Sequence, residues 1–486
     1  MKIDIVRPEF MKAWQMAERS SSSKSTFASL GGILVTVEGD RVVLEATDLK
    51  TSIRCTAGGV SASQNESAIF PVKLLGELFR KAPVDLLKVD IKEEKGVLSA
   101  GRSRTRFSTW PVSDFPKLPR CEGANPLCDV SAGELSRALS EGSIASSLTD
   151  DFPKYLGACL LQVQGGSLQI VSTDGRRLSL SKCLCDAQDE AELLLPLAAL
   201  RELQRLLGAG AADASVKILY DGSLAWFRLG EVEFSVRRVE SSFPSYKRIL
   251  EPGSTTTAIL RRDTLLSALD RVDIIVRSYT RMVVMQFSPG GQVKLTGRAP
   301  DFGTAVEFMD ATIDGEPMRA GFNVAFLQDG LKSLGADDVR MNLNGSAGQM
   351  TLFREGSDDF LYMLMPMKVI DQDLLDPEDE RDEIDADAEE NAKQENAKQE
   401  DVKQDGGDRP SDSGAVRPDE VLNDLVELKK EVEKTPEPEA AKPKTPRSRA
   451  VKPDTGESEI TKPETADSGT KEAEKEAEDS NDRLPF

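Results

Sequence analysis

Histidine is missing from this 486-residue sequence. Without an imidazole the chain cannot form a Ser/His/Asp triad or a Cys/His catalytic pair, and it lacks a ligand used in most zinc sites. The six cysteines are scattered and do not predict a disulfide framework. The sequence has neither an apolar signal core at its N-terminus nor a run of about 18 apolar residues. These absences predict a reduced cytoplasmic protein without a membrane segment.

The motifs of common enzymes are absent as well. We find no P-loop, no GxGxxG following a strand and no cysteine cluster with metal-ligand spacing. Cys183 and Cys185 are typical of a reduced pair on a strand, and the acidic pair Asp150-Asp151 has no supporting ligands nearby. The sequence therefore predicts a protein that is not an enzyme and that needs no cofactor and no metal.

Charge divides the chain into two parts. Residues 370–486 hold 37 acidic and 18 basic residues, a net charge of −19, whereas residues 1–369 have a net charge of only −2. The segment after Val369 contains a single aromatic residue, Phe486. Such a composition cannot bury enough apolar surface to offset the entropy of ordering. We therefore predict an acidic, disordered tail over 370–486.

Residues 1–369 contain a threefold repeat. An apolar residue followed by others five and nine positions later predicts a strand that leads into a helix. This pattern occurs three times, at offsets of 125 and 130: Ile5/Phe10/Trp14, Val130/Leu135/Leu139 and Leu260/Leu265/Leu269. A second helix start repeats at Phe70–Leu75, Leu195–Leu200 and Phe322–Leu327, and Phe115-Pro116 recurs as Phe243-Pro244. Three elements in one order at nearly one period predict a tripled unit.

The predicted fold class is α+β. Alternating apolar runs punctuated by glycine turns are typical of hairpin-connected antiparallel strands. Each copy therefore follows the order strand, helix, strands, helix, strands, with helices on one face of the sheet. We place the copies at 1–126, 127–254 and 255–369.

The body resembles the bacterial DNA polymerase sliding clamp, the β subunit of the replicative polymerase, from residue 1 to residue 369. The segments that carry the resemblance are Ala46–Leu49, Ala100–Arg104, Ser113–Pro116, Ser172–Leu178, Phe243–Arg248, Gly321–Val324 and Met365–Val369. The resemblance implies three clamp domains per chain and a ring of two chains joined head to tail, with helices lining the hole and sheets outside. Such a ring encircles duplex DNA without reading its sequence, and it tethers polymerases as a processivity factor.

Contacts to DNA and between chains follow from the same resemblance. It implies lumen-facing basic residues at Lys24, Lys73 and Arg80. Our own reading of the helices adds further candidates: Lys12, Lys81, Arg137, Arg201, Arg205 and Lys332. The alternative for any one of them is a solvated charge. The implied dimer interface contains Phe107, Ile274 and Ile275, with ordinary core packing as the alternative.

The resemblance also implies a cleft between the second and third copies that accepts short peptides with apolar anchors. Its partners would be the replicative polymerase, the clamp loader and repair polymerases. The matching residues are Tyr155, Leu156, Thr173, Gly175, Arg177, Leu178, Pro244, Arg248, Ile249, Asn323, Met365, Pro366 and Met367.

The last residues of the chain suggest another partner. The tail ends in Leu484-Pro485-Phe486 after an acidic stretch, and this ending resembles the C-terminal tip of bacterial single-stranded-DNA-binding proteins, which recruits replication and repair enzymes. Two alternatives remain: the ending is accidental, or it occupies the chain's own cleft. For the whole chain, the alternative function is a clamp-fold scaffold that binds proteins and does not encircle DNA.

Overall fold

A computed structural model describes residues 1–22, 25–62, 64–147, 153–250 and 253–369. Within these ranges no helix is both long and apolar enough to cross a membrane. The predicted tail, residues 370–486, lies outside these described ranges. The three predicted copies are all present, each with two principal helices packed against antiparallel sheet.

The first copy contains nine strands and two helices. The strands are β1 Lys2–Val6, β2 Gly32–Glu38, β3 Arg41–Thr47, β4 Thr51–Ala57, β5 Val60–Ala62, β6 Ser67–Pro71, β7 Leu86–Lys92, β8 Lys95–Ala100 and β9 Ser103–Ser108. The helices are α1 Arg7–Ala17 and α2 Val72–Lys81. Pro8 lies in the first turn of α1, where the missing N–H costs no hydrogen bond.

The second copy repeats this order. Its strands are β10 Asn125–Ser131, β11 Ala158–Gln164, β12 Ser167–Thr173, β13 Arg177–Leu184, β14 Asp186–Ala187, β15 Glu192–Pro196, β16 Ser215–Tyr220, β17 Leu224–Leu229 and β18 Val232–Arg237. Its helices are α3 Ala132–Gly142 and α4 Leu197–Leu207. Ser131 Oγ accepts from the backbone N–H of Glu134 at 3.3 Å, which is the N-cap that the sequence predicts.

A short helix, α5 Lys247–Leu250, precedes the third copy. The strands of that copy are β19 Thr256–Arg261, β20 Met282–Ser288, β21 Gln292–Ala299, β22 Gly303–Asp310, β23 Thr312–Gly315, β24 Met318–Asn323, β25 Asp338–Leu343, β26 Met350–Arg354 and β27 Phe360–Leu364. Its helices are α6 Arg262–Val276 and α7 Val324–Ser333.

Shared sheets join the copies. Strand β18 pairs with β4, which makes one nine-stranded sheet from the first two copies, and β13 pairs with β27, which makes another from the last two. The other two sheets have five and four strands; the first has edge strands β5 and β9, and the second has edge strands β22 and β24. Within the described residues, β9 and β22 each have a neighbour on one side only, so each is an open edge.

The residues of the predicted repeat form the core. Phe10, Trp14, Leu135, Leu139 and Leu265 are buried. The first and last residues of the three second helix starts are buried as well: Phe70 and Leu75, Leu195 and Leu200, and Phe322 and Leu327. One apolar cluster runs through the first two copies, and a separate cluster fills the third. A smaller cluster covers the opposite face of the second shared sheet, because alternate residues of a strand point to opposite faces.

Candidate functional site

A tight turn between β12 and β13 positions Arg177, one of the residues of the predicted cleft. Thr173 Oγ1 accepts from the N–H of Gly175 (3.1 Å) and donates to the carbonyl of Arg177 (2.7 Å). Asp174 accepts from the backbone N–H of Arg177 at 3.1 Å and from its Nε at 2.9 Å. Gly175 has a φ of 83°, which favours glycine. The turn thus fixes the direction in which Arg177 leaves the sheet.

Arg177 joins the second copy to the third. Its Nη1 donates to Asp329 at 2.8 Å and to the hydroxyl of Tyr362 at 3.1 Å, and its guanidinium carbon lies 4.1 Å from the ring centroid of Phe326. Burial alone would lower the pKa of Arg177, but Tyr362, Asp329 and Asp174 outweigh it and raise the pKa. The side chain is 12% exposed, so the guanidinium is a fixed cation at this junction.

Aromatic side chains form the floor beside that turn. The ring of Phe243 lies 5.9 Å from Tyr155 and 6.1 Å from Tyr246, both edge to face. Tyr246 donates to Gln162 Oε1 at 2.9 Å, and burial raises the pKa of Tyr246 to about 12. These rings pack in one apolar cluster with Leu178. The linker between the copies is therefore fixed on the sheet.

The last described segment of the third copy completes the junction. The N–H of Met365 donates to the carbonyl of Arg176 at 2.9 Å, and the N–H of Met367 donates to the carbonyl of Gly321 at 2.8 Å. Asn323 Oδ1 caps α7 by accepting from the N–H of Phe326 at 3.2 Å. Backbone contacts therefore hold Met365 and Met367 beside the turn.

Apolar groups remain accessible around this junction. Ile249 is 42% exposed and Met365 is 44% exposed. Gln349 of the third copy donates to the carbonyl of Ile249 at 3.2 Å, and Arg248 is exposed beside it. We call this surface the peptide cleft. The name stands for the thirteen residues predicted above, of which Thr173 and Leu178 are buried: Tyr155, Leu156, Thr173, Gly175, Arg177, Leu178, Pro244, Arg248, Ile249, Asn323, Met365, Pro366 and Met367. That it binds a peptide stays a prediction.

Sequence reasoning missed three residues that hold Arg177: Asp329, Tyr362 and Phe326. Their contribution depends on the pairing of β13 with β27, which the sequence does not specify. Phe243 and Tyr246 belong to the segment Phe243–Arg248, which carries part of the family resemblance. The sequence therefore contained the residues of the aromatic floor, although it did not indicate their packing.

A network of ion pairs between the second and third copies surrounds the buried carboxylate of Glu141. Glu141 of α3 pairs with Arg354 of β26, and it also accepts from Arg137 at 2.9 Å and from Ser181 at 2.7 Å. Asp359 accepts from Arg354 at 2.5 Å and from Arg137 at 3.1 Å. The guanidinium of Arg137 is thus paired inside the chain, and that it faces DNA stays a prediction.

The other DNA-binding candidates differ in their surroundings. Lys24 lies outside the described residues. Lys73 is exposed on α2, and no ion pair is formed by its ammonium within the described ranges. Arg80 lies on the same helix and pairs with Glu18 at 3.1 Å. Among the additional candidates, Lys81 pairs with Glu77 and Arg205 with Glu202, whereas Lys12, Arg201 and Lys332 are exposed.

The predicted dimer-interface residues lie near the two open edges. Phe107 of β9 is only 6% exposed, and its ring fills the space above Gly96, so most of it is covered within the chain. Ile274 of α6 is 59% exposed, and Ile275 packs partly against the third core. Ile274 is thus the residue of the three with most surface available to a partner.

No group of three or more potential metal ligands occurs in the described part of the chain. The cysteines are free thiols, and burial raises the pKa of Cys55 and of Cys159 to about 12.

Comparisons with known proteins agree with the tripled fold. Family models for the N-terminal, central and C-terminal domains of the DNA polymerase III beta subunit match residues 1–119, 129–245 and 247–368, in that order. The beta sliding clamp of Pseudomonas aeruginosa is 29% identical over 374 residues, covering 76% of this chain and 100% of the relative. That of Escherichia coli is 27% identical over 371 residues, with the same coverage. A crystal structure of the Pseudomonas aeruginosa subunit, which is 29% identical, superposes with a TM-score of 0.72 and covers 76% of this chain and 100% of its own.

Proposed function

The chain belongs to the family of DNA polymerase III beta subunits, the beta sliding clamps, and from this we propose how its surfaces carry out the work of a processivity factor. The observation that carries the proposal is the match of three clamp-domain models to three folded copies whose sheets end in open edges. A ring gives retention on DNA by topology, so its cations need only attract phosphates loosely.

The ring would form from two chains, with β9 of one pairing with β22 of the other. Such pairing would cover the open edges of β9 and β22, and the exposed Ile274 would lie close to the seam. Lys73 and Arg80 on α2 would face the duplex, together with Lys24. No sequence specificity is expected from lysine and arginine contacts to phosphates.

The peptide cleft would accept segments of the replicative polymerase, the clamp loader and repair polymerases. Its exposed Ile249 and Met365 offer apolar contact surface, and methionine adapts to different side chains. A sliding clamp of Pseudomonas aeruginosa has been solved with griselimycin bound. The tip Leu484-Pro485-Phe486 would in addition recruit proteins that read the ends of single-stranded-DNA-binding proteins.

Retention on closed DNA tests the proposal. The protein is loaded onto a nicked circular plasmid with the clamp loader of the same cell and ATP, and the complex is isolated by gel filtration. We expect the protein to stay on the circle and to be lost when a restriction enzyme linearises it. Retention on the linear form, or no retention on the circle, would contradict encirclement.

The same experiment separates the second candidate, a scaffold that does not encircle DNA. This candidate is favoured by the pairing of Arg80, Lys81 and Arg205 with carboxylates on their own or neighbouring helices, since pairing weakens their attraction to phosphates. A scaffold would bind peptides in the cleft, but its retention would be the same on circular and on linear plasmid.

A further inference from the structure

We propose that Cys185 is a site of thiol–disulfide exchange and that Cys128 completes the exchange by forming a disulfide with it. The inference does not depend on the proposed function of the cleft. Both thiols are free in the structure. The bridge forms when the surrounding glutathione pool becomes oxidised, and it fastens β14 to β10 until reduction releases it.

The pairing of β10 with β14 brings the two thiols together. Cys128 lies opposite Ala187, and Asp129 lies opposite Asp186. Cys185 precedes Ala187 by two residues and therefore projects to the same side of the sheet as Cys128. Both side chains pack in the apolar cluster of the first two copies. The thiol of Cys128 donates a hydrogen bond to the sulfur of Cys185, so the two sulfurs are direct neighbours.

Exposure separates the roles of the two sulfurs. Cys128 is 0% exposed, whereas Cys185 is partly exposed and follows Leu184, which is 85% exposed. The backbone N–H of Cys185 donates to the carbonyl of Gly166 at 3.1 Å, which holds the residue at this accessible place. A disulfide in solution therefore reaches Cys185 and does not reach Cys128.

Electrostatics assigns the same roles. Burial raises the pKa of Cys128, and the neighbouring sulfur of Cys185 raises it further. Burial also raises the pKa of Cys185, but the hydrogen bond from Cys128 acts in the opposite direction and favours a thiolate there. Because the thiolate is the form that attacks a disulfide, Cys185 is the nucleophile. Its pKa stays above the ordinary value overall, so the exchange is slow and the chain is reduced at rest.

The exchange balances with oxidised glutathione as the oxidant. The thiolate of Cys185 attacks one sulfur of the glutathione disulfide, which forms a mixed disulfide and releases one glutathione thiolate. Cys128 then loses its proton to solvent, attacks the sulfur of Cys185 and releases the second glutathione thiolate. Two protein thiols are thus oxidised to one disulfide, and one glutathione disulfide is reduced to two thiols.

The position of β14 makes the bridge reversible. Diagonal neighbours on antiparallel strands have Cα atoms about 7–8 Å apart, whereas the Cα atoms of a relaxed disulfide are less than about 6.8 Å apart. Strand β14 has two residues and lies at the edge of its sheet, so it can shift towards β10. The resulting bridge is strained, and strained disulfides are the ones that are reduced most readily.

Oxidation of the full chain tests the inference. The reduced protein is freed of reductant and incubated with oxidised glutathione at about pH 8. We expect the number of free thiols, six in the reduced chain, to fall by two. Fragment-ion mass spectrometry of the digested, unreduced protein should show one link, between Cys128 and Cys185. An excess of reduced glutathione should restore all six thiols.

Three variants separate the two steps. Cys128→Ala should stop at the first step and accumulate one glutathione on Cys185, and Cys185→Ala should take up no glutathione and form no bridge. Cys183→Ala is the matched control, because Cys183 lies two residues from Cys185 but is buried and donates to the carbonyl of Leu168 at 3.8 Å. It should form the same bridge as the native chain. Urea denaturation checks that each variant is folded.

Several results would overturn the inference. Six free thiols after oxidation of the native chain would show that Cys185 does not exchange. Glutathione retained on the native chain without a bridge would remove the role of Cys128, and a link from Cys185 to Cys183 would assign that role to the wrong strand. A bridge that reduced glutathione does not release would be a permanent link and would contradict exchange.

Discussion

The turn at Gly175 shows what a single backbone angle contributes. Gly175 has a φ of 83°, and a Cβ built there would meet no atom within 4 Å. The equivalent turn of the first copy has the same threonine and aspartate bonds but places Leu49 at a φ of 71°. A side chain is therefore tolerated sterically, at the cost of an unfavourable left-handed conformation.

From this we expect Gly175→Ala to lower the free energy of unfolding by about 1 kcal/mol, through backbone conformation alone. Gly222→Ala is the matched control, because Gly222 also has open space around its Cβ position but an ordinary φ. The control should be unchanged or stabilised by up to about 1 kcal/mol. Urea denaturation of both variants is the measurement; equal destabilisation would mean that the φ angle is not the cause.

The contacts of Arg177 depend on the shape of its guanidinium group as well as on its charge. Its planar guanidinium reaches Asp174, Asp329 and Tyr362 and stacks on a ring. Lysine keeps the charge but cannot form that fork. We expect Arg177→Lys to lower the free energy of unfolding, measured by urea denaturation, by about 2 kcal/mol. The exposed neighbour Arg176→Lys should change stability by less than about 0.5 kcal/mol, and a similar loss in both variants would contradict the assignment.

At the scale of elements, the junction between α3 and β26 depends on ionised groups. Burial tends to raise the pKa of Asp359, but hydrogen bonds from Ser357 and Arg354, with the charge of Arg137, hold it below the ordinary value of 3.8. A carboxylate with a lowered folded-state pKa stabilises the fold above its unfolded-state pKa. That contribution is lost as the pH falls through the folded-state value.

The variant Asp359→Asn should therefore have a lower urea midpoint than the native chain at pH 6, and the difference should shrink below pH 3.8. Asp358→Asn is the control, because Asp358 is largely exposed and forms an ion pair with Arg340 at 2.7 Å, outside the network around Glu141. A difference between native chain and Asp359→Asn that stays constant from pH 6 to pH 3 would show that ionisation of Asp359 does not stabilise the junction.

Elements were predictable here because their causes are local. The spacing of Leu135 and Leu139 and the cap at Ser131 predict α3, and the structure confirms that helix. The same sequence gives no indication that Arg137 meets Asp359, since 222 residues separate them and the pairing of β13 with β27 brings them together. The helix could therefore be predicted from the local sequence, whereas the ion pairs of Arg137 could not.

For the whole molecule, the threefold repeat gave the architecture, because each copy buries the same apolar positions. It did not show that the first two copies share one apolar cluster while the third has its own. It also did not show that the ring of Phe107 packs over Gly96, because a single residue without a side chain creates that space. Such packing depends on shape, which a repeat pattern does not encode.

The two open edges differ in charge, and this allows a test of ring closure. Arg104 and Arg106 are exposed on β9. Asp301, in the turn two residues before β22, and Asp310, the last residue of β22, are exposed as well. In a head-to-tail dimer every seam joins one β9 to one β22, so attraction at each seam requires opposite charges on the two strands.

We therefore compare a chain carrying Arg104→Glu and Arg106→Glu with a chain carrying Asp301→Arg and Asp310→Arg. Alone, each would place like charges at both of its seams, and we expect single subunits when mass is measured by light scattering at micromolar concentration. Mixed one to one, the first chain's acidic β9 meets the second chain's basic β22, and the other seam retains its native charges. Strands of opposite charge then meet at both seams. The mixture should therefore recover the mass of two chains and be retained on circular plasmid. Dimers formed by either variant alone, or a mixture that stays as single subunits, would show that these edges do not close the ring.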